Sequence, residues 1–160
     1  MDYRTYGKSK GALSEKAFYH DGQFCYNYLK ERYIESEITI YGRSLGTGIA
    51  TFVASKNEPK RLVLETPYYS LVDVAKKRFP LFPVTKLMQY KFPTYQFIKQ
   101  VGCPILMLHG TTDKVVPLSS GKKLYDSFIH KDLTFIEIPN ASHNNLIDFK
   151  EFNDAIKKHL

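Results

Sequence analysis

Four short runs of β-branched and aliphatic residues, separated by longer segments of helical period, limit the fold of this chain most strongly. They span residues 38–41, 61–65, 105–109 and 133–138. Each run is almost continuously apolar, as strands are when both faces of their sheet are covered. The alternation of such runs with helices predicts an α/β fold with a mostly parallel sheet and flanking helices.

The segments between these runs predict four helices. Ser14 is a candidate N-cap for a first helix that runs to about Tyr33, and a second helix begins at Ser44 or Leu45 and passes through Val53. Residues 119–128 and 145–159 predict the third and fourth helices. The expected buried faces are Ala17, Phe18, Cys25, Tyr28 and Leu29 in the first helix, and Leu146, Phe149, Phe152 and Ile156 in the fourth.

Residues 67–101 differ from the rest of the chain because prolines interrupt them at Pro67, Pro80, Pro83 and Pro93. Proline ends or kinks a helix, so this stretch predicts short helices in an insertion above the strand ends. Its apolar side chains fit two interpretations: they line an apolar site, or they pack the insertion onto the body. These side chains are Phe79, Leu81, Phe82, Leu87, Met88, Tyr90 and Phe92.

Length and composition exclude several classes of protein. A chain of 160 residues predicts one domain over residues 1–160. The formal charge is +7, but the basic residues are spread in ones and twos, which favours a solvated surface over a nucleic-acid face. Two distant cysteines without a Cys/His cluster argue against disulfide and zinc frameworks, and no metal or cofactor is expected. Without a spanning segment or signal, a cytoplasmic location is predicted.

The pattern G-x-S-x-G at residues 42–46 stands directly after one predicted strand and before a predicted helix. This is the context of a nucleophile elbow, in which a sharp turn exposes a serine hydroxyl. Glycines at the two flanking positions let strand and helix approach each other closely. We therefore predict that Ser44 is a nucleophile.

An activated serine needs a base and an acid, and candidates follow the third and fourth predicted strands. Asp113 and His143 lie just after runs 105–109 and 133–138, and so at the same edge of a parallel sheet as Ser44. Glu65 is the alternative acid, and His109 is expected to hydrogen-bond the loop of Asp113. The remaining histidines, His20, His130 and His159, are interpreted as surface residues, and Cys25 as core.

Together these segments resemble the α/β-hydrolase superfamily, in particular its small single-domain serine hydrolases of the peptidase-like or protein-depalmitoylase-like branch. Residues 2–9 are similar to its D-Y-R-G-Y-G-x-S segment, with Thr5 in place of the usual glycine, and residues 64–68, 104–110, 116–117 and 141–145 continue the likeness. The resemblance implies Ser44 as nucleophile, Asp113 as acid and His143 as base. It implies Leu45 N–H as an oxyanion donor and residues 67–101 as a lid.

The resemblance also implies that the chain is the C-terminal part of such a fold, because the strands that precede this point in the family are missing. One of them is followed by the loop that gives the other oxyanion donor. We therefore expect slow turnover by the chain alone, self-association through an exposed edge at residues 38–41, and membrane association only through a missing N-terminus.

The expected function is a serine hydrolase that cleaves an ester, thioester or amide in a small-molecule or acylated substrate, with no nucleic-acid partner. Two alternatives stay open. The chain could be a catalytically silent remnant that acts as a binding or structural module, or one without an independent function. It could also be a basic protein that binds nucleic acid or membrane surfaces, which would show as steeply salt-dependent binding.

Overall fold

A computed structural model describes residues 3–128 and 132–160 and contains one sheet over these ranges. Its four strands are β1 (Thr39–Arg43), β2 (Arg61–Glu65), β3 (Ile105–Gly110) and β4 (Leu133–Ile138). All neighbours pair in parallel, in the order β1-β2-β3-β4. The predicted bounds are confirmed for β2 and β4. Strand β1 runs further than predicted because Gly42 and Arg43 still pair with Leu64 and Glu65.

Helices connect these strands at both faces of the sheet, and predicted short helices occupy the proline-rich stretch. The helices are α1 (Glu15–Lys30), α2 (Leu45–Ala54), α3 (Leu71–Arg78), α4 (Val84–Leu87), α5 (Thr94–Phe97), α6 (Leu118–Asp126) and α7 (Lys150–His159). Short 3-10 turns lie at Glu35–Glu37, Ile98–Gln100 and Leu146–Asp148. None of the described helices is long and apolar enough to cross a bilayer.

The core has two layers because side chains of a strand alternate between the faces of its sheet. Leu62 and Leu64 of β2 pack in one layer with residues of α2 and α6, whereas Val63 between them faces α7. The α7 layer contains four apolar residues predicted for the last helix, which are Leu146, Phe149, Phe152 and Ile156.

Helix α1 begins as predicted, but its buried face is narrower than predicted. Ser14 Oγ accepts a hydrogen bond from Ala17 N at 3.0 Å, which caps the helix. The buried residues are Tyr19 and Tyr26, while Tyr28 and Leu29 are exposed and Cys25 is half-buried. The buried side of the helix contacts α2 at Gly22, where a Cβ would lie 2.8 Å from Ile49. The prediction for Tyr28 and Leu29 was wrong: Tyr28 lies on the outer side of the helix, and Leu29 faces the open cleft beside β1.

The last predicted helix is interrupted rather than continuous. A 3-10 turn at Leu146–Asp148 ends at Phe149, whose backbone is extended, and α7 begins only at Lys150. The side-chain amide of Asn153 donates to the carbonyls of Ile147 and Phe149 at 2.8 and 2.9 Å. These bonds satisfy carbonyls that a continuous helix would have used, so the break costs little.

Position 5 shows why the similar segment of the superfamily has a glycine there. Thr5 has φ +68°, in the left-handed region that glycine adopts without a steric cost. Arg4 beside it forms a two-pronged ion pair with Asp21 of α1, at 2.6 and 2.7 Å. Asp2 of the same segment lies outside the described residues, as does His130.

The outer side of β1 has no strand beside it among the described residues. Lys60 N donates to Ile38 O, and Ser44 N donates to Glu65 O, both across to β2. Because the N–H and C=O of one peptide group point in opposite directions, Thr39 N–H and Arg43 C=O point away from the sheet. An open cleft of about 430 Å³ lies beside this edge, lined by Cys25, Tyr26, Leu29, Ile38, Ile40 and Val53, among others.

Self-association through this edge therefore stays a prediction, and Thr39→Pro tests it. The substitution removes an outward N–H without touching the β1–β2 ladder, and Ile38 already has the extended backbone that precedes proline. We expect light scattering to show multimers of the unsubstituted chain and a lower mass for Thr39→Pro. Circular dichroism checks that the fold is intact, and equal masses for the two chains would contradict the prediction.

Candidate functional site

Ser44 occupies the turn between β1 and α2, with φ +49° and ψ −121°. A non-glycine residue in this region is strained, and such strain persists only where the surroundings enforce it. Here Ser44 N donates to Glu65 O at 3.0 Å, and Ser44 O accepts from Thr47. A Cβ at Gly42 would lie 2.6 Å from Ala50 Cβ, so the helix can follow the strand this closely only over a glycine.

The structure brings Ser44, His143 and Asp113 into one row of hydrogen bonds. His143 Nδ1 lies 2.8 Å from Asp113 Oδ2, and His143 Nε2 lies 3.0 Å from Ser44 Oγ. A carboxylate can only accept, so Nδ1 carries the proton and donates it. Nε2 is then free to accept a hydrogen bond from the Ser44 hydroxyl. The three side chains come from the carboxyl ends of β1, β3 and β4.

Asp113 is held from its other side by the backbone of its own loop. Its Oδ1 accepts from Val115 N at 2.8 Å and from Val116 N at 2.9 Å, and the residue is buried. Both carboxylate oxygens are therefore occupied, and Oδ2 is aimed at His143. Such a carboxylate can fix the ring orientation of the histidine and stabilise a positive charge on it.

His109 is fully buried at the end of β3 and supports the same loop. Its Nε2 lies 2.9 Å from Val116 O and 3.6 Å from Asp113 Oδ2, which fits the predicted bond to the loop. Because a carbonyl only accepts, Nε2 carries the proton. Burial lowers the pKa of His109, so the ring stays neutral. Gly121 of α6 leaves room for the ring.

The remaining candidates have separate surroundings. Leu45 is the first residue of α2, and its N–H has no acceptor within the helix, as the first N–H groups of any helix do. Glu65, the alternative acid, is buried, and its carboxylate faces Tyr41 and Arg43. The ring N–H of His143 is bonded to Asp113 instead. His20 is exposed, and His159 lies 3.5 Å from Arg61.

Arg43 was not singled out from the sequence, because it stands at a variable position of the G-x-S-x-G pattern. Its Nε lies 3.1 Å from Glu65 Oε1, its cross-strand partner. The same guanidinium donates to His143 O at 3.1 Å and to Asn144 Oδ1 at 3.0 Å. Arg43 therefore links the strand that leads to Ser44 with the loop of His143. Opposite charges at the ends of two adjacent strands were the signal available in the sequence.

Known proteins similar to this chain agree with the fold. A lysophosphatidylserine lipase of Danio rerio is 32% identical over 148 residues, which are 79% of this chain and 38% of that protein. An esterase of Pyrococcus furiosus superposes with a TM-score of 0.75 at 21% identity, over 99% of this chain and 68% of its own. A serine hydrolase homologue of Coxiella burnetii superposes with a TM-score of 0.73 at 20% identity, over 99% and 67%.

These likenesses identify the class of protein. The structural matches, at low identity, show the fold, and no protein-family model matches the chain. The chain spans 36% to 58% of the length of its curated relatives. With these relatives, its sheet and its strand-to-helix turn at Ser44, the chain belongs to the α/β-hydrolase superfamily.

The packing of His109 predicts a stability difference between two glycine substitutions. In Gly121→Ala, the new Cβ would lie 2.5 Å from His109 Nδ1 and 3.3 Å from Pro67 O. Overpacking of this kind lowers the free energy of unfolding by about 1–3 kcal/mol, which the gain in helix propensity only partly offsets. In the control Gly102→Ala, nothing lies within 4 Å of the new Cβ. Equal melting temperatures of the two variants would contradict the packing argument.

Proposed function

We propose that the chain carries the catalytic groups of a serine hydrolase that cleaves an ester, thioester or amide through an acyl-enzyme. The observation that supports this most is the row of hydrogen bonds from Ser44 through His143 to Asp113, with both contacts at 3.0 Å or less. A structural role for a buried carboxylate and a histidine would not need a strained serine at the other ring nitrogen. The alternatives of a silent or purely binding protein leave that strain unexplained.

In the proposed first step, Ser44 Oγ forms a bond to the substrate carbonyl carbon while His143 Nε2 takes the hydroxyl proton. The carbonyl π electrons move to the oxygen, and Asp113 stabilises the imidazolium that forms. When the tetrahedral intermediate collapses, the bond to the leaving group breaks and His143 donates the proton to it. Water repeats the sequence on the acyl-enzyme and restores Ser44.

The developing oxyanion needs donors at the turn itself. Leu45 N–H is a donor at the first position of α2, so the positive end of the helix dipole adds to it. The turn that strains Ser44 thus supplies both the exposed hydroxyl and one oxyanion contact.

For the substrate class, the names of similar proteins favour an ester, with a lipid ester as the first candidate. One relative is named a lysophosphatidylserine lipase and one solved neighbour is named an esterase. Beside the elbow, Leu45 packs in an apolar cluster with Ile49, Tyr68, Phe92 and Val116. We propose that an acyl chain rather than a charged group is accommodated at this side of Ser44.

Labelling and hydrolysis test the assigned roles. Ser44→Ala should abolish labelling by a fluorophosphonate and remove most hydrolysis of a p-nitrophenyl ester, and His143→Ala and Asp113→Asn should each remove most of it as well. The double variant Ser44→Ala with His143→Ala should be no worse than either single one, because the pair acts as a unit. Labelling that persists in Ser44→Ala would refute the assignment.

The Arg43 bridge predicts a second, smaller effect. In Arg43→Gln the loop of His143 loses its link to Glu65, and we expect kcat to fall by about tenfold, since misplaced catalytic groups are costly. KM should change little. Glu65→Gln should retain more activity, because its side chain can still accept from Arg43. Arg32→Gln, on the exposed surface near Tyr28, is the control. If Glu65→Gln were inactive while Asp113→Asn stayed active, Glu65 rather than Asp113 would be the acid.

A further inference from the structure

Four apolar side chains of the proline-rich stretch neither pack onto the body nor line a described pocket. Phe79, Leu81, Phe82 and Leu87 are exposed, with 49%, 94%, 63% and 69% of their surface accessible. Packing onto the body therefore does not account for most of the surface of Leu81, Phe82 and Leu87. Neighbouring residues of the same stretch do pack, since Val84 and Phe92 are buried. Phe79, Leu81 and Phe82 lie in the turn between α3 and α4, and Leu87 is the last residue of α4.

The exposed apolar residues form a defined surface rather than scattered contacts. The turn after α3 is fixed by Phe79 N donating to Ala75 O and Phe82 N donating to Phe79 O, at 2.8 and 3.2 Å. The rings of Phe79 and Phe82 lie edge to face, with centroids 6.3 Å apart. Leu81 stands between them at the tip of the turn. Exposed apolar groups concentrated in this way mark an interaction site.

All charged residues within this surface, residues 76–87, are basic. Lys76, Lys77 and Arg78 end α3, and Lys86 lies in α4 beside Leu87. No aspartate or glutamate occurs anywhere in residues 74–112, a stretch that also contains Lys91 and Lys99. Most of the chain's formal excess of seven positive charges is therefore carried by this stretch. Asp73, just before it, is buried and bonded to Ser120 and Lys123, and it also pairs with Lys77 at 3.4 Å, so Lys77 is already neutralised.

We propose that residues 76–87 form a surface that binds peripherally to anionic lipid bilayers. The apolar side chains of the turn enter the boundary between headgroups and acyl chains, while Lys76, Arg78 and Lys86 lie among the lipid phosphates. A nucleic acid would satisfy the cations but gain little from Leu81, and an apolar protein groove would gain little from the cations. A bilayer uses both features at once.

The proposed lipid binding is compatible with the proposed hydrolysis but does not rest on it. On its inner side, Leu71, Val74 and Phe92 pack in the same apolar cluster as Leu45 and Val116, the neighbours of Ser44 and Asp113. Packing through this cluster therefore connects the helix that carries Lys76 with the edge of the sheet where the site is. The sequence left open a basic protein that binds membrane surfaces, and this surface gives that alternative a location in the fold.

Vesicle flotation tests the proposal with the chain as it stands. We expect binding to vesicles of phosphatidylcholine and phosphatidylserine in equal amounts, little binding to phosphatidylcholine alone, and a decrease as salt is raised. The pair Lys76→Glu with Lys86→Glu should weaken binding by at least about tenfold. The pair Lys157→Glu with Lys158→Glu at the end of α7 changes the net charge equally and should have a small effect.

The apolar contribution is tested separately with Leu81→Ser and Phe82→Ser combined, which should also weaken binding by about tenfold or more. Phe24→Ser with Ile34→Ser is the matched control, since these residues are 65% and 67% exposed elsewhere. Melting temperatures check that each variant is folded. Ser44→Ala should bind vesicles normally, so failure of the hydrolase assignment and failure of this proposal are distinguishable.

Three results would overturn the proposal. They are the absence of binding to phosphatidylserine vesicles, binding that Leu81→Ser with Phe82→Ser leaves unchanged, and tighter binding of a single-stranded oligonucleotide than of the vesicles. The second result would mean that attraction is only electrostatic. The third would assign the surface to nucleic acid instead, because exposed rings and cations can also hold stacked bases.

Discussion

The parallel pairing of the four strands β1 to β4 is the constraint on which the site depends. In a parallel sheet all carboxyl ends lie at one edge, so residues that follow different strands meet there although they are far apart in sequence. The pairing of Arg43 with Glu65 at the last step of the β1–β2 ladder fixes where β1 ends. The next residue, Ser44, then has to turn sharply into α2 with its amide still bonded to Glu65 O. The strained backbone at Ser44 is a consequence of this register.

Around that edge, the polar groups are arranged in layers that support each other. Asp113 orients His143, and the amides of Val115 and Val116 orient Asp113. His109 in turn holds Val116 O from within the core. A second support comes from the opposite side, where Arg43 holds His143 O. Two independent supports on one histidine limit its movement relative to Ser44, which is what a proton transfer between them requires.

The sequence predicted the fold class, the sheet, three of the four strand ends within one residue, and the residues that meet at the site. These features follow from local patterns: apolar runs, the glycines at 42 and 46, and polar residues just after strands. The missed features depend on packing between distant segments. Tyr28 and Leu29 have a plausible helical period, but α1 packs through Gly22 against α2. Arg43 gained its role only when the loop of His143 came within reach.

The exposure of Phe79, Leu81, Phe82 and Leu87 also could not be predicted, because an apolar residue in a sequence is expected to be buried. In residues 67–101, prolines divide the chain into helices too short to present one continuous apolar face. Val84 and Phe92 of this stretch are buried. The turn between α3 and α4 is fixed by its own backbone hydrogen bonds and leaves its apolar side chains exposed. Solvent exposure of these groups costs stability, so a chain that keeps them there, next to Lys76, Arg78 and Lys86, is suited to a surface that is both apolar and negatively charged.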